Sequence, residues 1–181
     1  MTYLIFLRHS QKEYKNNRGP AGKPKHDPPI KEGFENLIIY KSKKIFSKYG
    51  YPEKIVSSPF LRTRQTSEII KNYLSNEGKN IEYIIDKNAE EYLGFQKPYN
   101  GDADLDSETS KYTQVKLGVE NFETLKIRAV NFYEDLSKER TILIITHGIF
   151  ISKLAQHLNL KHHSIKELEG IVVRDGKAEL L

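Results

Sequence analysis

Two stretches decide the fold: Thr2-Tyr3-Leu4-Ile5-Phe6-Leu7, running into Arg8-His9, and Thr141-Ile142-Leu143-Ile144-Ile145, running into Thr146-His147-Gly148. Both are continuous apolar runs, rich in branched and aromatic side chains and too short for a helix. A strand without polar alternation is buried on both faces, as strands of a parallel sheet are. Both runs also end on a histidine. In open α/β sheets ligands bind beyond the carboxyl ends of the strands, so two histidines placed there are expected neighbours.

Working outward, Gly33 to Tyr49 has helical periodicity, with Phe34, Leu37, Ile38, Lys41, Ile45 and Tyr49 on one stripe and Lys43, Lys44 and Lys48 mostly off it. Lys54-Ile55-Val56-Ser57 is a short strand. Ser58 then suits an N-cap and Pro59 the first helical position, where a missing N–H costs nothing, for a helix to about Leu74. Ile81–Ile85 reads as a third strand. Asn121 to Leu136 is helical through Phe122, Leu125, Ala129, Phe132 and Leu136, and Ile149 to Leu158 is a further helix. Ile171-Val172-Val173 and Ala178-Glu179-Leu180 flank Asp175-Gly176, a dipeptide favoured in hairpin turns. Tyr14–Pro29, basic and broken by Gly and Pro, and Asp86–Leu117, acidic in its middle, read as long irregular loops, expected to flank the pocket and set substrate choice. Strands alternating with helices predict an α/β fold, a three-layer α/β/α sandwich on a mostly parallel central sheet, as a single domain over 1–181.

Composition narrows the class. At 181 residues the chain can bury a sizeable core, and 11 Tyr with 8 Phe exclude a disordered chain. The absence of Cys excludes disulfides, zinc–thiolate sites and a cysteine nucleophile. No apolar run reaches the roughly 18–20 residues of a membrane helix. The Thr2–Leu7 run is too short for a signal peptide, so the expected location is cytoplasmic and no membrane partner is expected. A net charge of +5 favours anionic ligands. Neither aromatic interleaving nor a basic recognition helix points to nucleic acid, so none is expected as a partner.

The chemistry concentrates at the strand ends. Arg8 and His9 end the first strand, His147 ends the last long one, and Arg62 lies one turn into the helix after Lys54–Ser57. Together they suit a tetrahedral dianion. A neutral imidazole can attack phosphorus, while guanidinium forks bind the equatorial oxygens and stabilise the charge that develops there. A carboxylic acid must protonate the departing alkoxide and then help to activate water. Neither a metal nor another cofactor is required if the arginines carry the charge. His26, His157, His162 and His163 lack such a setting and read as surface or helix-end residues.

These residues resemble a known family, the histidine phosphatase superfamily with its phosphoglycerate mutase-like branch. Leu7-Arg8-His9-Ser10 resembles its Arg-His-Gly signature. Ser57 to Thr66, reading SSPFLRTRQT, is similar to its Ser-Pro-x-x-Arg-x-x-Gln-Thr element, and Thr146-His147-Gly148 to its late His-Gly motif. Asp27-Pro28-Pro29-Ile30-Lys31-Glu32-Gly33 and the stretch from Gly118 to Arg128 are weaker echoes. The resemblance implies a phosphoglycerate mutase-like fold, His9 as the nucleophile that becomes phosphohistidine, and Arg8, Arg62 and His147 as ligands of the phosphoryl group. In a Glu-x-x-x-Gly context it implies Glu90 as proton donor, with Glu91 as rival. Ser10 stands where the family has Gly, and Lys15 where the mutases commonly have Asn. The chain is also short for a mutase. The expected activity is therefore metal-independent hydrolysis of a phosphomonoester, on a phosphorylated small molecule or phosphopeptide. Mutase-type phosphoryl transfer and a non-catalytic phosphate-recognition module are the alternatives.

Overall fold

The computed structural model describes residues 2–13, 27–91, 120–136, 140–161 and 164–181. Six strands form one sheet: β1 (Leu4–Arg8), β2 (Lys54–Ser57), β3 (Glu82–Ile85), β4 (Ile142–Thr146), β5 (Gly170–Arg174) and β6 (Lys177–Leu180), in the order β3-β2-β4-β1-β5-β6. The first four run parallel, and β5 joins β1 antiparallel with β6 beyond it. Four helices among the described residues cover the sheet: α1 (Glu35–Tyr49), α2 (Leu61–Asn76), α3 (Phe122–Asp135) and α4 (Gly148–His157).

Alternation along the strands divides the core in two. Leu4, Phe6, Ile142, Ile144 and Val173 pack with Leu125, Phe132, Phe150 and Leu154 of α3 and α4. Ile5, Leu7, Ile55, Leu143 and Ile145 face the other way, onto Ile38, Phe46, Ile70 and Leu74 of α1 and α2. Each such side chain, fully buried, contributes about 1.5–3 kcal/mol relative to exposure. The two covered faces explain why β1 and β4 are apolar throughout, and the α/β sandwich is the one the strand pattern predicts. Among the described residues no helix is long and apolar enough to cross a membrane.

The topology fixes where a ligand can sit. After β1 the chain crosses past β4 to reach β2; after β4 it crosses past β1 to reach β5. The two connections leave in opposite directions, opening a crevice at the carboxyl ends of β1 and β4. Their register sets Arg8 opposite Thr146, and the His9 amide donates to the Thr146 carbonyl at 3.1 Å. β5 approaches β1 closely enough that a Cβ on Gly170 would lie 1.8 Å from the Phe6 carbonyl oxygen. At the hairpin, Asp175 (φ 49°) and Gly176 (φ 73°) form the left-handed pair that a two-residue turn requires.

Local expectations differ from the structure at two helix starts. α1 begins at Glu35 rather than Gly33, which takes φ 79° outside the helix. α2 begins at Leu61 rather than Pro59, with Phe60 extended at its N-cap position and no cap from its own side chain. The Ser58 hydroxyl, read as the cap, is bonded instead to His147 Nε2 at 2.8 Å. The Leu61 amide is met from a distance, by Asp27 Oδ1 at 2.7 Å. Most of Tyr14–Pro29 and Asp86–Leu117 falls outside the described residues, as do His26, His162 and His163.

Candidate active site

Arg62 organises the cluster. It lies in the first turn of α2, is 1% exposed, and stacks its guanidinium over Phe60 at 4.7 Å. Its Nε donates to His9 Nε2 at 3.2 Å and its Nη1 to Asp27 Oδ1 at 3.3 Å, while Nη2 meets Glu91 Oε2. A buried arginine is tolerable only when its donors are satisfied, and here a histidine and two carboxylates do so.

His9 follows β1, and its Nδ1 lies 2.6 Å from the Ser10 carbonyl oxygen. A carbonyl only accepts, so Nδ1 carries the proton and the lone pair resides on Nε2, the atom Arg62 touches. Ser10 is itself held, its amide donating to Thr66 Oγ1 of α2 at 3.1 Å. Burial, reinforced by the neighbouring Arg62, holds the His9 pKa well below its ordinary value. The imidazole is therefore neutral, with a lone pair to give, at physiological pH.

His147 follows β4 and precedes α4. Its Nδ1 lies 3.2 Å from Glu91 Oε2, its Nε2 faces Ser58 Oγ, and its ring centroid is 5.3 Å from that of His9. Nδ1 also lies 3.4 Å from Arg62 Nη2; the carboxylate is the nearer, and with Nδ1 donating to it Nε2 accepts from the Ser58 hydroxyl. Burial lowers its pKa to about 4, although Glu91 acts in the opposite direction.

The carboxylate that meets both Arg62 and His147 is Glu91. Burial works to raise its pKa, but His147 and Arg62 outweigh burial and hold it well below the ordinary range. Glu90 precedes it in an extended conformation (φ −65°, ψ 160°), where neighbouring side chains leave on opposite sides. Of the two glutamates that the sequence leaves in competition, Glu91 is the one touching Arg62 and His147, whereas Glu90 is buried with its backbone carbonyl accepting from Arg128 Nη1 at 3.1 Å. The segment is pinned from below. Thr146 Oγ1 donates to the Ala89 carbonyl at 2.6 Å and Arg128 Nη1 to that of Asn88 at 2.9 Å, with Arg128 held by Glu120 through two bonds of 2.9 Å.

Arg8 points elsewhere than expected. Its Nη1 donates to the Ile165 carbonyl at 2.6 Å and its Nη2 pairs with Glu167 at 2.9 Å. It lines, with Lys12, Glu91, Gly148 and Ser164, a cavity of about 470 Å³ from which the cluster is reached through Glu91. Lys12 was not among the residues singled out from the sequence. Its signal is positional, three residues beyond His9, and nothing in its type separates it from the lysines of the following loop.

His9, Glu91 and His147 bring one ligand atom each within 4.8 Å of one another, a spacing that could hold a metal ion. Arg62 already contacts all three, with Nη2 3.4 Å from His147 Nδ1, so each of these side chains already has a protein partner. With Arg62 matched by Asp27 and Glu91, an anion fits this strand-end frame by taking the place of Glu91 on Arg62 and His147.

Comparison with known proteins gives concordant results. The family model described as histidine phosphatase superfamily (branch 1) matches residues 4–170. No curated protein sequence matches the chain. Among solved structures, a phosphoserine phosphatase mutant from Entamoeba histolytica in complex with phosphoserine superposes with a TM-score of 0.64 at 17% identity, covering 99% of this chain and 95% of that one. A phosphoglycerate mutase from Bacillus anthracis str. Sterne gives 0.65 at 17% identity, over 99% and 91%. A mycobacterial hydrolase gives 0.65 at 17% identity, over 99% and 96%. At these identities the likeness is one of fold.

Proposed function

The chain belongs to the histidine phosphatase superfamily, and from that premise we propose that it is a metal-independent phosphomonoester hydrolase working through a phosphohistidine on His9. The observation that carries the reading is the setting of His9: Nδ1 lies against the Ser10 carbonyl, an acceptor only, which leaves the Nε2 lone pair facing Arg62. That is the state an attacking imidazole needs.

The substrate's phosphoryl dianion takes over the donors that Glu91 holds on Arg62 and His147. Nε2 of His9 then attacks phosphorus, a P–N bond forms and the ester P–O bond breaks. Arg62 and His147 stabilise the charge on the equatorial oxygens. Beside the dianion, and without its two partners, Glu91 binds a proton more readily and passes it to the departing alkoxide oxygen. Water next attacks phosphorus as Glu91 takes its proton. The P–N bond breaks, and inorganic phosphate leaves with His9 restored. Arg8, tied to Glu167 and Ile165, lines the approach, packed so near Gly148 that a Cβ there would lie 3.2 Å from its Cδ.

Hydrolysis of 4-nitrophenyl phosphate in the presence of a chelator, compared between wild type and His9→Ala, tests this. The expected result is turnover that survives chelation, releases inorganic phosphate, and falls by a factor of about 10³ or more in the variant. Full activity in folded His9→Ala, or its loss to chelator in the wild type, overturns the reading. Transfer of phosphate to an added alcohol in place of its release would favour the mutase alternative.

A further inference from the structure

Resting on that reading, we propose that Lys12 is the specificity-determining residue of the site and binds an anionic group, a carboxylate or a second phosphate, on the leaving-alcohol part of the substrate.

The cavity that reaches the cluster carries three cations, Arg8, Lys12 and Lys153. Arg8 is occupied by Glu167 and the Ile165 carbonyl. Lys153 lies over the Phe122 ring at 4.6 Å. Among the described residues no hydrogen bond or ion pair holds the Lys12 ammonium, although the side chain is half-buried in the cavity wall. A half-buried ammonium without a counter-ion is disfavoured, and an anion beside it removes the penalty.

Position separates its role from that of the phosphoryl ligands. Arg62, His9 and His147 are buried behind Glu91, whereas Lys12 shares the cavity wall with Glu91 itself. Glu91 faces the oxygen that leaves, so a charge beside it meets the alcohol and not the transferred phosphoryl group. Burial, followed by the proximity of Arg62, lowers the Lys12 pKa, and Glu91 opposes that shift. These are the interactions of a lysine at the edge of the cluster. Its backbone is fixed as well: Lys12 pairs with Ile30 across a short antiparallel bridge, the Glu13 amide donates to the Pro29 carbonyl at 2.9 Å, and the Lys31 amide to that of Gln11 at 2.8 Å. The ammonium is thus presented from a held backbone, which limits the entropy lost when it engages an anion.

The test compares matched phosphomonoesters that differ in charge: phosphoglycolate and 1,3-propanediol bisphosphate against 2-hydroxyethyl phosphate. Wild type, Lys12→Met and Lys12→Arg are assayed on all three. The expected result is a wild-type preference of roughly 10- to 100-fold in kcat/KM for the anionic substrates, carried mainly by KM. Lys12→Met should bring the ratio near one, with the loss falling on the anionic substrates, and Lys12→Arg should restore most of the preference. The substrate that loses most tells carboxylate from phosphate. An unchanged ratio in Lys12→Met overturns the proposal. So does an equal loss on charged and neutral substrates, which would place Lys12 on the transferred phosphoryl group. If the wild type turns over none of the three, the hydrolase reading fails separately. Calorimetric affinities of the same compounds for His9→Ala and His9→Ala/Lys12→Met then decide on Lys12 by the same ratio.

Discussion

Replacing Glu91 by glutamine separates the contact with Arg62 and His147 from the role proposed for the same carboxylate, source of a proton. Charged hydrogen bonds contribute about 1.5–3 kcal/mol each, and a neutral amide keeps roughly half of that. The Glu91 side chain is 18% exposed, so solvent screening trims the difference toward the lower half of that range. A phosphoryl group then displaces its competitor with about 1–2 kcal/mol less opposition, and inorganic phosphate should bind roughly 5- to 30-fold tighter. Turnover should move the other way. An alkyl phosphate needs its leaving oxygen protonated, and losing a positioned acid lowers its rate by roughly 10²–10⁴. 4-Nitrophenyl phosphate, whose leaving group departs as a stabilised phenolate, should change by less than about tenfold. The assay is steady-state release from both esters, with phosphate affinity measured by calorimetry, on Glu91→Gln and Glu90→Gln. If Glu91→Gln turns over the alkyl ester like wild type, or if folded Glu90→Gln shows the selective loss instead, the assignment of the acid is refuted.

Two further perturbations test the frame. His9 and His147 are buried and held neutral, His147 with a pKa of about 4, whereas in the unfolded chain histidine titrates near 6.5. Stability should be complete above about pH 6.5 and fall as pH drops toward 4, by about 1.4 kcal/mol per unit for each histidine, or about 2–4 kcal/mol between pH 6.5 and 5; Glu91, also held low, adds a loss below about pH 4.5. Urea unfolding across that window reads this directly, and a flat profile would contradict neutral buried histidines. At the sheet, Gly170→Ala drives a methyl into the Phe6 carbonyl, a backbone clash that should remove about 3 kcal/mol or more, while Gly176→Ala, strained only by its φ of 73° in open space, should lose about 1–2 kcal/mol. Thermal unfolding of the two variants gives the order, and a reversed order would refute the close approach of β5 to β1.

The sandwich was legible because its signals are long and redundant. β1 and β4 lack polar alternation since helices cover both faces, and the residues of each core alternate within one strand, so neither run fits a surface strand or a helix. The start of α2 was not legible for an equally physical reason. Ser58-Pro59 satisfies the local rule for a helix start, but the local bond competes with a distant one, and His147 takes the Ser58 hydroxyl while Asp27 caps Leu61. Sequence spacing carries no record of a partner 89 residues away.

Within the site, His9, Arg62 and His147 were readable because strand ends in a parallel sheet gather whatever follows them. Glu90 and Glu91 could not be separated by spacing alone. In extended chain a shift of one residue reverses the side, and what sets it is the grip of Thr146 on the Ala89 carbonyl and of Arg128 on those of Asn88 and Glu90. Charge balance around Arg62 then explains why the choice matters. Asp27 is fully buried and bonded to both α2 and Nη1, so it is a permanent partner of the guanidinium. Glu91 stands at the cavity edge and holds Nη2 by a contact that a stronger anion can replace. A carboxylate brings one negative charge to Arg62 and His147, whereas a phosphate ester dianion brings two and more acceptor oxygens. In the proposed hydrolysis the exchange therefore favours substrate over side chain, and releases next to the leaving group the acid assigned to the next step.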